Sequence, residues 1–174
     1  MTTAETIPKY PALKRLGSLA EFRPVVVVDT REQTPLIFSR LETVEGGLQT
    51  GDYSFLGGET VLAVERKSVP DLVACCVNSN RGRFERELHR LRGYRFARVL
   101  VVGSRDEIER GEYRSGLSPK VVLHSIAAFE ARYGIPFVFI DDPTEAARQV
   151  ETWVYWSARE IVEAANTLLR GHKA

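Results

Sequence analysis

Hydrophobic positions along the chain fall into short runs of two kinds, and the alternation of the two predicts the layout. Val25–Val28 is an unbroken β-branched run ending at Asp29. Such a run suits a strand covered on both faces. A Thr-, Pro- and Gly-containing loop follows over 30–47, with room for a short strand or turn. Asp52–Leu56 and Thr60–Glu65 are β-prone stretches around Gly57-Gly58, the pattern of a hairpin. Ser68, with Pro70 in the first turn and Asp71 three residues on, opens a helix reaching about Val77. Asn78–Gly82 reads as a polar break.

Phe84, Leu88 and Leu91 then form one apolar stripe on a helix over Arg83–Arg92, closed by Gly93. Arg98–Val102 is a second apolar strand. Ser118-Pro119 opens a helix that Gly134 ends. Pro136–Ile140 is another strand. Asp142, Pro143 and Glu145 start a long helix toward Leu169, in which Trp153, Val154 and Trp156 are expected to pack on the core. Helices alternating with apolar strands imply an α/β protein, a mixed sheet with helices on both faces. Residues 1–22 lack a sustained period and read as a peripheral or flexible lead-in; 23–171 read as one domain.

Composition changes this picture little. With 174 residues, 44% hydrophobic and 27% charged, the chain suits one globular domain and not a disordered or collagen-like one. No stretch is long enough to span a bilayer, so no membrane partner is expected. The adjacent Cys75 and Cys76 cannot readily bridge each other and lack metal-knuckle spacing. They suit a reducing compartment, which with the missing secretory pattern points to an intracellular protein.

Charge matters locally. The net charge is only +1, yet residues 66–98 hold nine basic and three acidic side chains, a balance of +6. Arg83, Arg86 and Arg90 share a helix face beside the apolar stripe, and Arg81 sits just before it. These four are candidates for phosphate contacts along a nucleic acid.

The candidate chemistry lies around the hairpin. A two-residue turn sets Asp52 diagonal to Glu65; a slightly longer turn sets the two directly opposite. Either way the carboxylates share a face, about 5 Å apart when opposite and about 7–8 Å when diagonal. Lys67 lies two residues beyond Glu65 and points the same way, while Arg66 points to the other face. Asp29 adds a third carboxylate if its strand lies beside the hairpin, and Glu32 follows it closely. Hard carboxylate oxygens suit Mg²⁺ or Mn²⁺. A plain solvated ion pair is the competing explanation of the bare triplet.

The strings around that triplet settle the preference. Val28-Asp29-Thr30-Arg31-Glu32, Gly51-Asp52-Tyr53, Val64-Glu65-Arg66-Lys67-Ser68 and Asp71-Leu72 resemble the XPF-type nuclease domain of the PD-(D/E)xK group. Its signature is Gly-Asp, a variable gap, Glu-Arg-Lys, three residues and Asp. The resemblance runs over about 25–140. It implies a restriction-endonuclease-like central mixed sheet flanked by helices. It also implies a Mg²⁺- or Mn²⁺-dependent endonuclease for branched, flap or junction DNA, working in repair or recombination.

By position, the resemblance makes Asp29, Asp52 and Glu65 catalytic metal ligands and Lys67 the catalytic lysine. Glu32, Arg66 and Asp71 match supporting positions. Two readings stand for Arg66, positioning the site or touching DNA, and two for Asp71, supporting the site or capping its helix. Relatives often carry a helix-hairpin-helix or helicase domain, and neither pattern is visible here. Substrate choice is then expected from this domain, a homodimer or a partner subunit. The alternative function is a non-catalytic DNA-binding or scaffold subunit, and RNA remains an alternative substrate.

Overall fold

The computed structural model describes residues 23–171. The lead-in expected over 1–22 lies outside them. A six-stranded mixed sheet forms the centre, in the order β2-β1-β3-β4-β5-β6. Its strands are β1 (Val26–Asp29), β2 (Thr43–Gly46), β3 (Tyr53–Phe55), β4 (Leu62–Ser68), β5 (Phe96–Val102) and β6 (Phe137–Ile140). β3 runs antiparallel to β1 and β4; the other neighbours are parallel. The helices are α1 (Val69–Ala74), α2 (Asn78–Leu91), α3 (Arg105–Arg110), α4 (Pro119–Tyr133) and α5 (Pro143–Gly171).

Two cores divide the sheet by the two-residue alternation of its strands. In β5, Ala97, Val99 and Val101 join Leu72, Phe84, Leu88 and Phe129 from α1, α2 and α4. Leu100, between them in sequence, joins Val150, Val154 and Ala158 of α5 on the opposite face. Small residues at Ala146, Ala147 and Ala158 let α5 lie close against the sheet. Trp153 packs on Phe96, with ring centroids 5.8 Å apart. Trp156 does not join the core: it is 51% exposed, with the Arg159 guanidinium over its ring.

Several boundaries differ from expectation. α1 stops at Ala74, and the expected polar break Asn78–Gly82 is the start of α2. Gly82 inside a helix costs about 1 kcal/mol. Arg81 compensates by anchoring the first turn: it stacks 4.6 Å from the Phe129 ring centroid, pairs with Glu85 and reaches Ser125 Oγ. The short α3 was not expected, although Ser104 and Glu107 form a reciprocal capping box at its start. Asp142 caps α5 as expected, accepting from the amides of Thr144 and Glu145.

The hairpin decides the site. Gly57-Gly58 is not a two-residue turn; the connection runs over 56–61, and Tyr53 pairs with Val64. This longer-turn register brings Asp52 beside Glu65. Gly51 makes it possible. Its φ is +83°, and a Cβ there would lie 3.1 Å from the Val64 carbonyl oxygen and 3.3 Å from the Ala63 Cβ. A side chain at 51 would push the Asp52 backbone off β4, which explains the Gly-Asp pair physically.

Candidate active site

Tyr53 and Val64 face α5, so their neighbours Asp52 and Glu65 face α1 and α2. Lys67 follows Glu65 on that face. A cavity of about 400 Å³ opens there, lined by Asp52, Glu65, Lys67 and Asp71, by 31–34 of the loop after β1, by Arg66, and by Ala74, Cys75, Asn80 and Arg83 from the helical side.

Asp52 Oδ2 accepts a 2.6 Å hydrogen bond from the Arg66 amide, and the Asp52 amide donates to the Val64 carbonyl at 2.8 Å. Burial pushes the Asp52 carboxyl up to about 6, against the pull of the Arg66 amide and the Lys67 charge. Glu65 is 3% exposed, and its Oε1 accepts a hydrogen bond from the Lys67 ammonium. Burial, and then the neighbouring Asp52 charge, hold its pKa well above the usual range. For Lys67, burial alone would lower the pKa; Glu65 and Glu87 outweigh it and raise the net value. Lys67 is therefore a permanent cation near neutral pH.

Asp29, the third expected carboxylate, differs from the other two in its partners. It lies on the same face and is 2% exposed, but its oxygens are already occupied. Oδ1 accepts from the Arg31 amide at 2.9 Å and Arg31 Nε at 2.7 Å; Oδ2 accepts from Arg31 Nη2 at 3.1 Å and the Leu48 amide at 2.6 Å. Burial would raise its pKa, but these donors lower it. Among the described residues, no three His, Cys, Asp or Glu side chains are arranged to hold a metal ion. Asp29 instead ties the loop after β1 to Leu48 of the β2–β3 connection.

The supporting residues divide the same way. Arg66 points off the Glu65–Lys67 face. Its Nη2 donates to the Thr34 carbonyl at 2.7 Å, and Glu32 lies 3.4 Å from its Nε. Glu32 also accepts from the Thr34 amide. Together they shape the loop that forms one cavity wall. Asp71 lines the cavity, and its Oδ2 accepts a hydrogen bond from Ser68 Oγ at the start of α1. Of the four arginines expected to meet DNA, Arg83 lines the cavity. Arg86 is exposed further along α2, Arg90 donates to Thr50 Oγ1 at 3.1 Å, and Arg81 is held by Phe129 and Glu85. His89 and His124 are exposed on their helices, away from the cavity lining.

Sequence reasoning missed Arg31, Asn80, Cys75 and Glu87. Cys75 is a neutral wall residue whose thiol burial pushes up to about 11. Glu87 lies 3.8 Å from the Lys67 ammonium. Its signal was faint: it is one of the three acids in the basic 66–98 segment, on a helix whose contact with β4 only the fold reveals.

A mixed sheet clasped by helices on both faces, with a partly buried carboxylate pair and a lysine at a cavity, defines an α/β fold of the restriction-endonuclease-like nuclease class. The family follows from comparison with known proteins. A family model for the ERCC4 domain matches residues 28–152, and the chain belongs to that family. Among solved structures it is similar to XPF from Aeropyrum pernix, with 25% identity and a TM-score of 0.62 over 77% of this chain and 61% of that one. It is similar also to XPF from Aeropyrum pernix in a complex with DNA, with 26% identity and a TM-score of 0.61 over 79% of this chain and 66% of that one. The chain thus spans less than two thirds of either. A comparison with curated proteins found no match.

Proposed function

We propose that the chain is a divalent-metal-dependent DNA endonuclease that hydrolyses phosphodiesters in branched, flap or junction DNA. One observation carries this: half-buried Asp52 and buried Glu65 are held side by side and under-neutralised, with Lys67 against Glu65. A fold tolerates two carboxylates whose burial raises both pKa values only where something outside the chain, or function, compensates.

The donor set fits a hard divalent cation. Mg²⁺ is commonly held by one or two carboxylates and keeps several waters. Asp52 and Glu65 would hold it, with Asp29 on the same face beneath the exposed Arg31 side chain. A bound Mg²⁺ or Mn²⁺ supplies Lewis-acid polarisation of a phosphoryl oxygen and acidifies a coordinated water.

The chain's own residues do the rest. Lys67, kept charged by its carboxylate neighbours, stabilises negative charge developing on the phosphate and does not serve as a general base. Arg66 and Glu32 fix the wall formed by the loop after β1. Arg83 offers the cavity rim a phosphate contact. The XPF neighbour in complex with DNA supports DNA as the polymer. No helix among the described residues is long and apolar enough to cross a membrane.

The test is a cleavage panel of flap, fork, nicked and four-way DNA, and matching RNA, with Mg²⁺, Mn²⁺ or EDTA. Metal-dependent cleavage of branched DNA, lost in Asp52→Asn and Lys67→Ala, is expected. Tight junction binding without cleavage under any metal would instead assign the scaffold role.

A further inference from the structure

Glu87 meets the site from an element that carries none of the signature. It projects from α2 toward β4, where its Oε2 lies 3.8 Å from Lys67 Nζ. It is about a quarter exposed. One turn earlier on the same helix, the Phe84 ring centroid lies 5.6 Å from that ammonium. Phe84 is 2% exposed and wedged against Phe129, so this stretch of α2 is fixed to the core. The Lys67 head therefore has an aromatic floor and two carboxylate neighbours. Among the described residues, Glu65 and Glu87 are the carboxylates within ion-pair reach of it.

These two carboxylates have unequal duties. Glu65 belongs to the pair that fits a divalent cation. A carboxylate drawn toward a dication holds an ammonium less firmly, and the dication also repels it. Lysine has a flexible four-carbon stem and can follow such a push into solvent. The nearest charge that opposes this is Glu87.

We propose that Glu87 is a positioning residue: it retains the Lys67 ammonium in the site when Glu65 is engaged by a divalent cation. This rests on the nuclease reading above. Glu87 acts through Lys67 and does not itself ligate the ion. This role gives a use to a negative side chain on the helix that also carries Arg83, Arg86 and Arg90.

The experiment uses the full chain as wild type, Glu87→Gln, Glu87→Asp, Lys67→Met and the Lys67→Met/Glu87→Gln double variant. Junction cleavage gives kcat and KM, and calorimetry gives Mn²⁺ affinity without DNA. Glu87→Gln is expected to lower kcat by about 10- to 100-fold, the usual size for a group that orients a reacting one. The KM for DNA should stay level or fall, since a charge repelling phosphate is removed. Glu87→Asp should recover part of kcat. In the Lys67→Met background, Glu87→Gln should leave Mn²⁺ affinity unchanged, because the group it acts through is gone.

A tenfold or larger loss of Mn²⁺ affinity in both backgrounds would make Glu87 a ligand and overturn the proposal. So would wild-type kcat in Glu87→Gln, or a fall in kcat matched by a rise in KM and a lower melting temperature. A wild type that neither binds Mn²⁺ nor cleaves brings down the nuclease reading and this proposal together. A competent wild type matched by Glu87→Gln brings down the proposal alone.

Discussion

Asp29 and Glu65 have equally little exposed surface, 2% and 3%, on the same face of one sheet, yet their pKa values move in opposite directions; Asp29 lies just under the exposed Arg31 side chain, whereas Glu65 lies deeper. Asp29 accepts four hydrogen bonds from Arg31 and the Leu48 amide. Glu65 has the Lys67 ammonium, which it shares with Glu87, and faces the charge of Asp52. Glu151, on the other face, also ties down a loop: its Oε1 accepts from the amides of Ser39, Arg40 and Leu41, while its buried Oε2 has no partner. Burial alone therefore does not mark a reactive acid. The number of donors aimed at it does, because donors replace the hydration that burial removes. Asp29 and Glu151 hold loops; Asp52 and Glu65 are left with charge to offer.

The strongest way to break this contrast is to neutralise both kinds of acid and compare signs. Asp52→Asn and Glu65→Gln should each reduce cleavage by about 10³-fold or more, the scale of removing a charged group from a reaction centre. In metal-free solution Asp52→Asn should nevertheless be more stable than wild type at neutral pH. Its carboxyl sits at about 6 against an ordinary 3.8, which corresponds to a gain on the order of 2–3 kcal/mol. Urea unfolding measures it, and an Asp52→Asn variant less stable than wild type would erase the distinction.

Removing a loop-holding acid should do the reverse. Glu151→Ala leaves three amides without their acceptor and should cost about 3 kcal/mol; Asp29→Asn weakens the Arg31 clamp and should cost about 2 kcal/mol. The same unfolding series checks both.

The pH dependence sharpens the contrast further. The folded state binds an extra proton at Asp52 between its ordinary pKa and its raised one. The destabilisation it causes is therefore absent below about pH 4, grows with rising pH and is complete above about 6. The stability gap between wild type and Asp52→Asn should open over that window. Asp29 has the opposite sign: its lowered pKa stabilises the fold above its ordinary value of 3.8, and that contribution is lost only as pH falls through the lowered one. Because a cation needs both carboxylates ionised, Mn²⁺ affinity should fall by about tenfold or more per pH unit below about 6. A flat affinity from pH 7 to 5 would contradict the raised Asp52 value.

The smallest expected effect is at the rim. Arg83→Ala should weaken binding to every DNA similarly and reduce the slope of log K against log[salt] by about 1. A change in preference among DNA structures would instead give Arg83 a role in choosing the substrate.

Much of the fold follows from local pattern. The β-branched run of β1, the Pro119 start and Gly134 end of α4, and the Asp142 cap of α5 were legible because each is a short-range device. α3 was missed despite its capping box, since six residues carry little periodicity. The start of α2 was missed because its anchor, Arg81 on Phe129, joins residues far apart in sequence.

The amino-acid sequence by itself determined which chemistry is present: a Gly-Asp pair, a Glu and a Lys two apart on one strand, and enough alternating elements to bury them. Covalent order and the two-residue period of a strand suffice for that. Only the tertiary structure decided which carboxylates are surrounded by donors. Asp29 and Asp52 look alike in the chain, and what separates them is the Leu48 amide brought across from another connection and the Arg31 side chain folded back. Glu87 reaches Lys67 for the same reason: packing of α2 on β4 sets a contact that no local spacing encodes.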